Sequence, residues 1–240
     1  MPFPPDKTKQ FAVQFACRIP ARKELSAAER KALENILRDL DPEMFQIFHE
    51  EHNVANLFQA SRQHHVGPAT ITAPSFIFAN DSVTLLSLIE WSGSLLRNRT
   101  VDTSPLNKKM AHILFEIQNT LKGLRYHRAG KIFEFVIGPF NPEDKRNLLP
   151  KLMMDTLADI GELNITFAKY VKLDEEMYNF QTVILYNQLE LGHPFDLVVR
   201  VDINNRQLAE SMDPGEIEKV WGRADKAIAE HLDSIIGYTS

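Results

Sequence analysis

Between Phe195 and Ile236 the hydrophobic period of the chain changes. Leu197-Val198-Val199-Arg200-Val201-Asp202-Ile203 is read as an alternating strand. After a polar connection, Ile217, Trp221, Ala224, Ile228, Leu232 and Ile235 recur at spacings of three and four, the stripe of an amphipathic helix. Leu106, Met110, Ile113, Ile117, Leu121 and Leu124 make the same stripe 111 residues earlier. Asp213-Pro214-Gly215-Glu216 and Ser104-Pro105 supply the helix starts, and Gly237 and Gly123 the stops.

The front of each half repeats in the same way. Phe11 to Ile19 alternates as a strand, and Ser26-Ala27-Ala28-Glu29 is a capping box that opens a helix carrying Leu33, Ile36, Leu37 and Leu40. At an offset of 120 residues, Phe133, Phe135 and Ile137 alternate, Asn141-Pro142-Glu143-Asp144 supplies a cap, and Thr156 to Ile160 matches Ile36 to Leu40. The first copy therefore carries about nine extra residues before its long helix, a difference that loops absorb at small entropic cost. Residues 41–66 predict short strands or turns, while Ala69 to Ala79 and Ser82 to Trp91 are rich in β-formers. Leu163 to Val171, Met177 to Leu189 and Phe195 to Ile203 answer them in the second half. The pattern predicts an α+β fold of two tandem β-α-β(3-4)-α repeats, 10–124 and 131–236, forming a curved antiparallel sheet with long helices on one face.

That element order resembles the TATA-binding-protein-like or helix-grip architecture, in which a curved antiparallel sheet wraps a long C-terminal helix and two copies are related by a pseudo-twofold axis. TATA-binding protein itself reads DNA with a basic saddle and intercalating phenylalanines. The strand Val199-Arg200-Val201-Asp202-Ile203 followed by a capped terminal helix also resembles a sporadically distributed family of uncharacterised bacterial proteins. That resemblance implies no activity and no catalytic residues.

Composition narrows the function classes. A formal net charge of -5 counts against a general nucleic-acid binder, which needs a basic face. With 25% charged and 44% apolar residues the chain is ordinary for a globular protein. It has one cysteine, Cys17, no charged-then-apolar leader at Met1 to Asp6, and no apolar run of membrane-spanning length. The expectation is a cytoplasmic protein without membrane partners.

Candidate chemistry is sparse. His49-Glu50-Glu51-His52 would set His49 and His52 on one face if helical, with His64 and His65 as further ligands, but the spacing is not that of a zinc protease, and a solvated turn is the plainer reading. Asp39, Asp41 and Asp174-Glu175-Glu176 supply carboxylates with no partner implied by spacing. Cys17, in phase with Phe15, reads as a buried small hydrophobe. Ser94, Ser104 and Ser211 lack a nucleophile-elbow context, and Arg97 and Arg99 lie in a modestly basic connection. Asp202 alternates out of phase with Val199, Val201 and Ile203, beside Arg200 on the wet side of its strand. It reads as one partner of a surface ion pair or, less simply, as a polar anchor for a ligand. No cofactor or metal is implied. The leading expectation is a binding or interaction module for a protein or small-molecule partner. The alternative is a small-molecule-binding protein or enzyme using a cavity between sheet and C-terminal helix.

Overall fold

The computed structural model describes residues 7–19, 24–51, 57–66, 69–79, 81–89, 103–141, 162–187, 194–206 and 211–236. They form an α+β fold around one antiparallel sheet of nine strands. The strands are β1 (Thr8–Arg18), β2 (Ile47–Glu51), β3 (Leu57–Val66), β4 (Ala69–Ala79), β5 (Ser82–Ile89), β6 (Arg128–Phe140), β7 (Glu162–Leu173), β8 (Glu176–Asn187) and β9 (Phe195–Asn205). Three described helices accompany them: α1 (Ala27–Leu40), α2 (Ser104–Thr120) and α3 (Pro214–Ile236). The strand order is β2-β3-β4-β5-β1-β6-β9-β8-β7, so the first strands of the two halves meet at the centre. They pair antiparallel, with Val13 opposite Phe133 and Phe11 opposite Phe135.

Alternation fixes which face is covered. Phe11, Val13, Phe15 and Cys17 on β1, Phe133, Phe135 and Ile137 on β6, and Leu197, Val199, Val201 and Ile203 on β9 are all buried. Onto this set α3 lays the stripe expected of it: Ile217, Trp221, Ala224, Ile228, Leu232 and Ile235 are buried. Trp221 meets Phe15 edge-on at 4.8 Å between ring centroids, and its indole N–H donates to the Gly130 carbonyl at 3.0 Å. In turn α2 packs on α3 and α1 on α2. The other set of side chains, including Ala12, Gln14, Ile132, Glu134, Val198 and Asp202, is only half-buried.

The helix starts follow their local chemistry. Ser26 Oγ accepts from the Glu29 amide at 3.3 Å, and Glu29 Oε2 accepts from the Ser26 amide at 2.9 Å. Asp213 and Glu216 make the same reciprocal pair at the head of α3, at 2.8 and 2.9 Å. For α2 the cap lies one residue earlier than expected: Thr103 is the N-cap, without a side-chain cap bond, and Pro105 follows within the first turn. The helix stops at Thr120, and Gly123, at φ 85°, takes the left-handed conformation past its end. The expected connection 95–102, the cap at Asn141 to Asp144 beyond its first residue, the helix to Ile160, and Gly237 lie outside the described residues.

Candidate functional site

The most unusual chemistry is in the core. On β6, Lys131 is in phase with Phe133, Phe135 and Ile137, so the strand carries its side chain to the covered face, where it has no exposed surface. One element above, Asp225 lies one turn beyond Trp221 on α3, and Asn107 lies one turn before Ala111 on α2. The Lys131 ammonium pairs with Asp225 Oδ1 and donates to Asn107 Oδ1 at 2.8 Å. Asn107 Nδ2 closes the ring by donating to Asp225 Oδ2 at 2.7 Å. The rings of Phe15 and Phe133 complete the lysine's surroundings, at 4.9 and 5.3 Å from Nζ.

Burial wins over pairing in this triad. It pushes the Lys131 amine down to about 8, although Asp225 pulls the other way. A buried ion pair of this kind ties α2, α3 and β6 into one arrangement, because each group left alone is a buried polar atom without a partner. The amine is enclosed, so it is not presented to a substrate.

A second buried polar pair lies under the C-terminal half of α3. His231 is 3% exposed, its Nε2 is 2.7 Å from Thr182 Oγ1 on β8, and its ring meets Phe180 edge-on at 5.0 Å. Burial, reinforced by the Lys169 charge, lowers its affinity for a proton to about 4. The imidazole is neutral at neutral pH.

The residues singled out in the sequence separate. Cys17 is buried on the helix-covered face, and burial raises its thiol far above the ordinary range, so it is not a nucleophile. His49 lies on strand β2 rather than a helix, opposite Gln59, while His64 and His65 lie opposite Ile71 and Thr70 further along β3. Five residues of strand, roughly 16 Å, separate Gln59 from His64. The backbone at His49 is therefore set well away from that at His64 and His65, and His52 lies outside the described residues. Among the described residues no group of three or more His, Cys, Asp or Glu side chains could hold a metal ion.

The acidic turn after β7 is used structurally. Arg223 of α3 bridges Asp174 at 2.8 Å and Glu176 at 3.0 Å. Asp41 accepts from Lys109 of α2 and from the Met44 amide, which ties the end of α1 to α2. Asp39 and Ser211 are exposed, Ser104 opens α2, and Ser94, Arg97 and Arg99 lie outside the described residues.

Asp202 stands on the face turned away from the described helices, as its phase requires, and accepts from Asn204 Nδ2 at 2.9 Å. Its neighbour Arg200 forms a cross-strand ion pair with Glu134 at 3.7 Å. Beyond them, Arg128 donates Nε to the Asn205 carbonyl at 2.9 Å and its terminal nitrogen to Asn204 Oδ1. Burial weakens the hold of Arg128 on its proton, Asp202 opposes that effect, and the Arg18 charge adds to it. Gly130 is needed here, since a Cβ would sit 2.9 Å from the Asn204 Cβ.

At the opposite end of this face, Val136, Val198 and Leu185 form one cross-strand row over β6, β9 and β8. Leu185 is 36% exposed. Between the sheet and α3, Phe15, Trp221, Phe133 and Lys131 pack against one another. A shallow open groove of about 490 Å³ lies instead between α2 and the head of α3, beside His112, Phe115 and Glu218. No described helix is long and apolar enough to cross a membrane. Comparison of the chain with protein families, curated proteins and solved structures finds no match.

Proposed function

We propose that the protein is a non-enzymatic binding module, a duplicated saddle of two repeats, 10–124 and 131–236, which receives a partner protein on the sheet face turned away from its described helices. The observation that carries this reading is the row Val136–Val198–Leu185. Aliphatic side chains in register across three strands are an unusual choice for a face whose natural occupants are polar, and exposed apolar patches mark interaction sites. The packing of Phe15, Trp221 and Phe133 around Lys131 beneath α3 favours it over the alternative of a ligand cavity between sheet and helix.

The duplication is supported by the central register. Val13 and Phe133, equivalent at the sequence offset of 120, lie directly opposite each other, as a twofold axis passing between β1 and β6 would require. Outward from that seam β5, β4 and β3 rank on one side as β9, β8 and β7 do on the other, with β2 added beyond β3.

The test is a photo-crosslinking side chain placed at Leu185 in the native host, with the same group at Lys226 on the exposed side of α3 as control. A discrete adduct at 185, absent at 226 and lost when Val198→Arg is added, is expected. Turnover of esters, phosphates or nucleotides by the purified protein, or an apolar small molecule retained in its native mass spectrum, would count against the reading.

A further inference from the structure

The arginine-bearing end of the open face departs from the chain's acidic balance. Arg18 on β1 lies directly opposite Arg128 on β6. The β6–β9 register, carried two residues past Gly130 and Asn204, sets Arg206 opposite Arg128 in turn. The Arg206 amide donates to the Met177 carbonyl on β8 at 2.9 Å, and Met177 lies opposite Lys172 on β7. One straight row across five adjacent strands, roughly 19 Å from end to end, thus holds Arg18, Arg128, Arg206 and Lys172, with Met177 as its one uncharged member.

Like charges directly opposite one another in a sheet are destabilising. The local acids, with Asp202 acting on Arg128 among them, offset this only in part. Asp81 is 3.9 Å from Arg18, where both side chains are more than half exposed, and Lys172 pairs with a Glu175 that is almost fully exposed. Such pairs contribute little. The next row inward runs Gly130–Asn204–Asn179–Tyr170, placing two amides and a phenol beside the cations. Tyr170 is 58% exposed, and the Arg206 guanidinium stacks on its ring at 4.1 Å.

We propose that this strip binds a chain of phosphate groups, carried by a nucleotide or by an inorganic polyphosphate. Guanidinium forks match phosphate oxygens two at a time, and donors repeating along a line suit a ligand whose charges also repeat along a line. Arg18 and Arg206 are the anchoring residues. Arg128, whose donors already hold Asn204 and Asn205, supplies charge. The strip uses none of the residues of the aliphatic row and stands whether or not a protein docks there.

Calorimetric titration of the intact protein at low salt, with inorganic tripolyphosphate and separately with ATP, tests it. Both are expected to bind, with Arg18→Gln and Arg206→Gln each weakening binding about tenfold and Lys219→Gln, on the exposed side of α3, leaving it unchanged. Thermal midpoints of the arginine variants, no lower than that of the parent, establish that the fold is intact. Tighter binding of ATP, lost in Tyr170→Ala, identifies a nucleotide; equal binding of the two identifies the inorganic chain. The proposal is overturned if neither ligand binds, if the two arginine variants bind as the parent does, or if poly-glutamate or a single-stranded oligonucleotide binds more tightly per charge.

Discussion

Replacing Asp225 by alanine removes the carboxylate that faces the enclosed Lys131 ammonium. With the amine held at about 8 in the folded protein, its ionised form at pH 7 lies roughly 1 to 2 kcal/mol below its neutral form. Without Asp225 that advantage is lost, because the buried amine sheds its proton instead. The variant also leaves Asn107 Nδ2 without an acceptor and the amine with Asn107 Oδ1 alone, at about 1 kcal/mol for each hydrogen bond lost. The expected loss is therefore about 3 kcal/mol at pH 7, within reach of the range measured when one member of a buried pair is removed.

The pH dependence distinguishes this account from a simple packing defect. Lys131 binds its proton less tightly folded than unfolded, so the intact protein gains stability as pH rises from about 8 towards 10.5. In Asp225→Ala the folded amine is already neutral at pH 7, while the unfolded one is charged. The gap between variant and parent should then shrink to about 2 kcal/mol by pH 9.5, and widen by about 1.4 kcal/mol per unit below pH 8. Urea unfolding at pH 6, 7 and 9.5 measures it. A gap that does not change over this range would refute the assignment of a charged, paired lysine in the core.

Ile228→Asp should destabilise by several kcal/mol, since it places a charge on a fully buried position of the α3 stripe, whereas Lys226→Gln on the exposed side should stay within about 0.5 kcal/mol. Equal urea midpoints for the two would contradict the helix phase. His231 should make the protein acid-sensitive: its folded value of about 4 lies below the unfolded one, so stability is complete above pH 6.5 and falls by about 3 kcal/mol on acidification to pH 4. His231→Gln, compared by thermal melts across that range, should lose this part of the pH dependence.

Much of the fold was legible in period alone. The stripe from Ile217 to Ile235, the alternation of β1 and β9, and the capping box at Ser26 all describe what the structure contains, because each is a local rule acting over one element. Lys131, Asn107 and Asp225 escaped notice for the opposite reason. Each is a polar residue in the buried phase of an otherwise apolar element, and a stripe is read by its apolar members. Lys131 was in phase with Phe133, and Asp225 one turn from Trp221, so a search for polar residues on apolar faces would have found both. The row of arginines was hidden more deeply. Arg18, Arg128 and Arg206 are scattered in sequence and become neighbours only through the β1–β6 and β6–β9 registers, which no local pattern encodes. Conversely, His49 and His52 look close in sequence, but a strand carries His49 away from the histidines of β3.

The central claim is that two repeats make one cooperative sheet joined at β1 and β6. In the intact chain Phe11 stacks on Phe135 at 5.1 Å and Phe15 packs under Trp221, both contacts reaching across that seam. A half-chain ending at Ala129 loses these partners and leaves β1 as an open edge carrying a bare apolar face. The direct measurement is a thermal melt of that half-chain followed by circular dichroism. A broad, non-cooperative signal, or none resembling a folded β protein, is expected; a cooperative transition near that of the intact chain would mean two independent domains and would contradict the account.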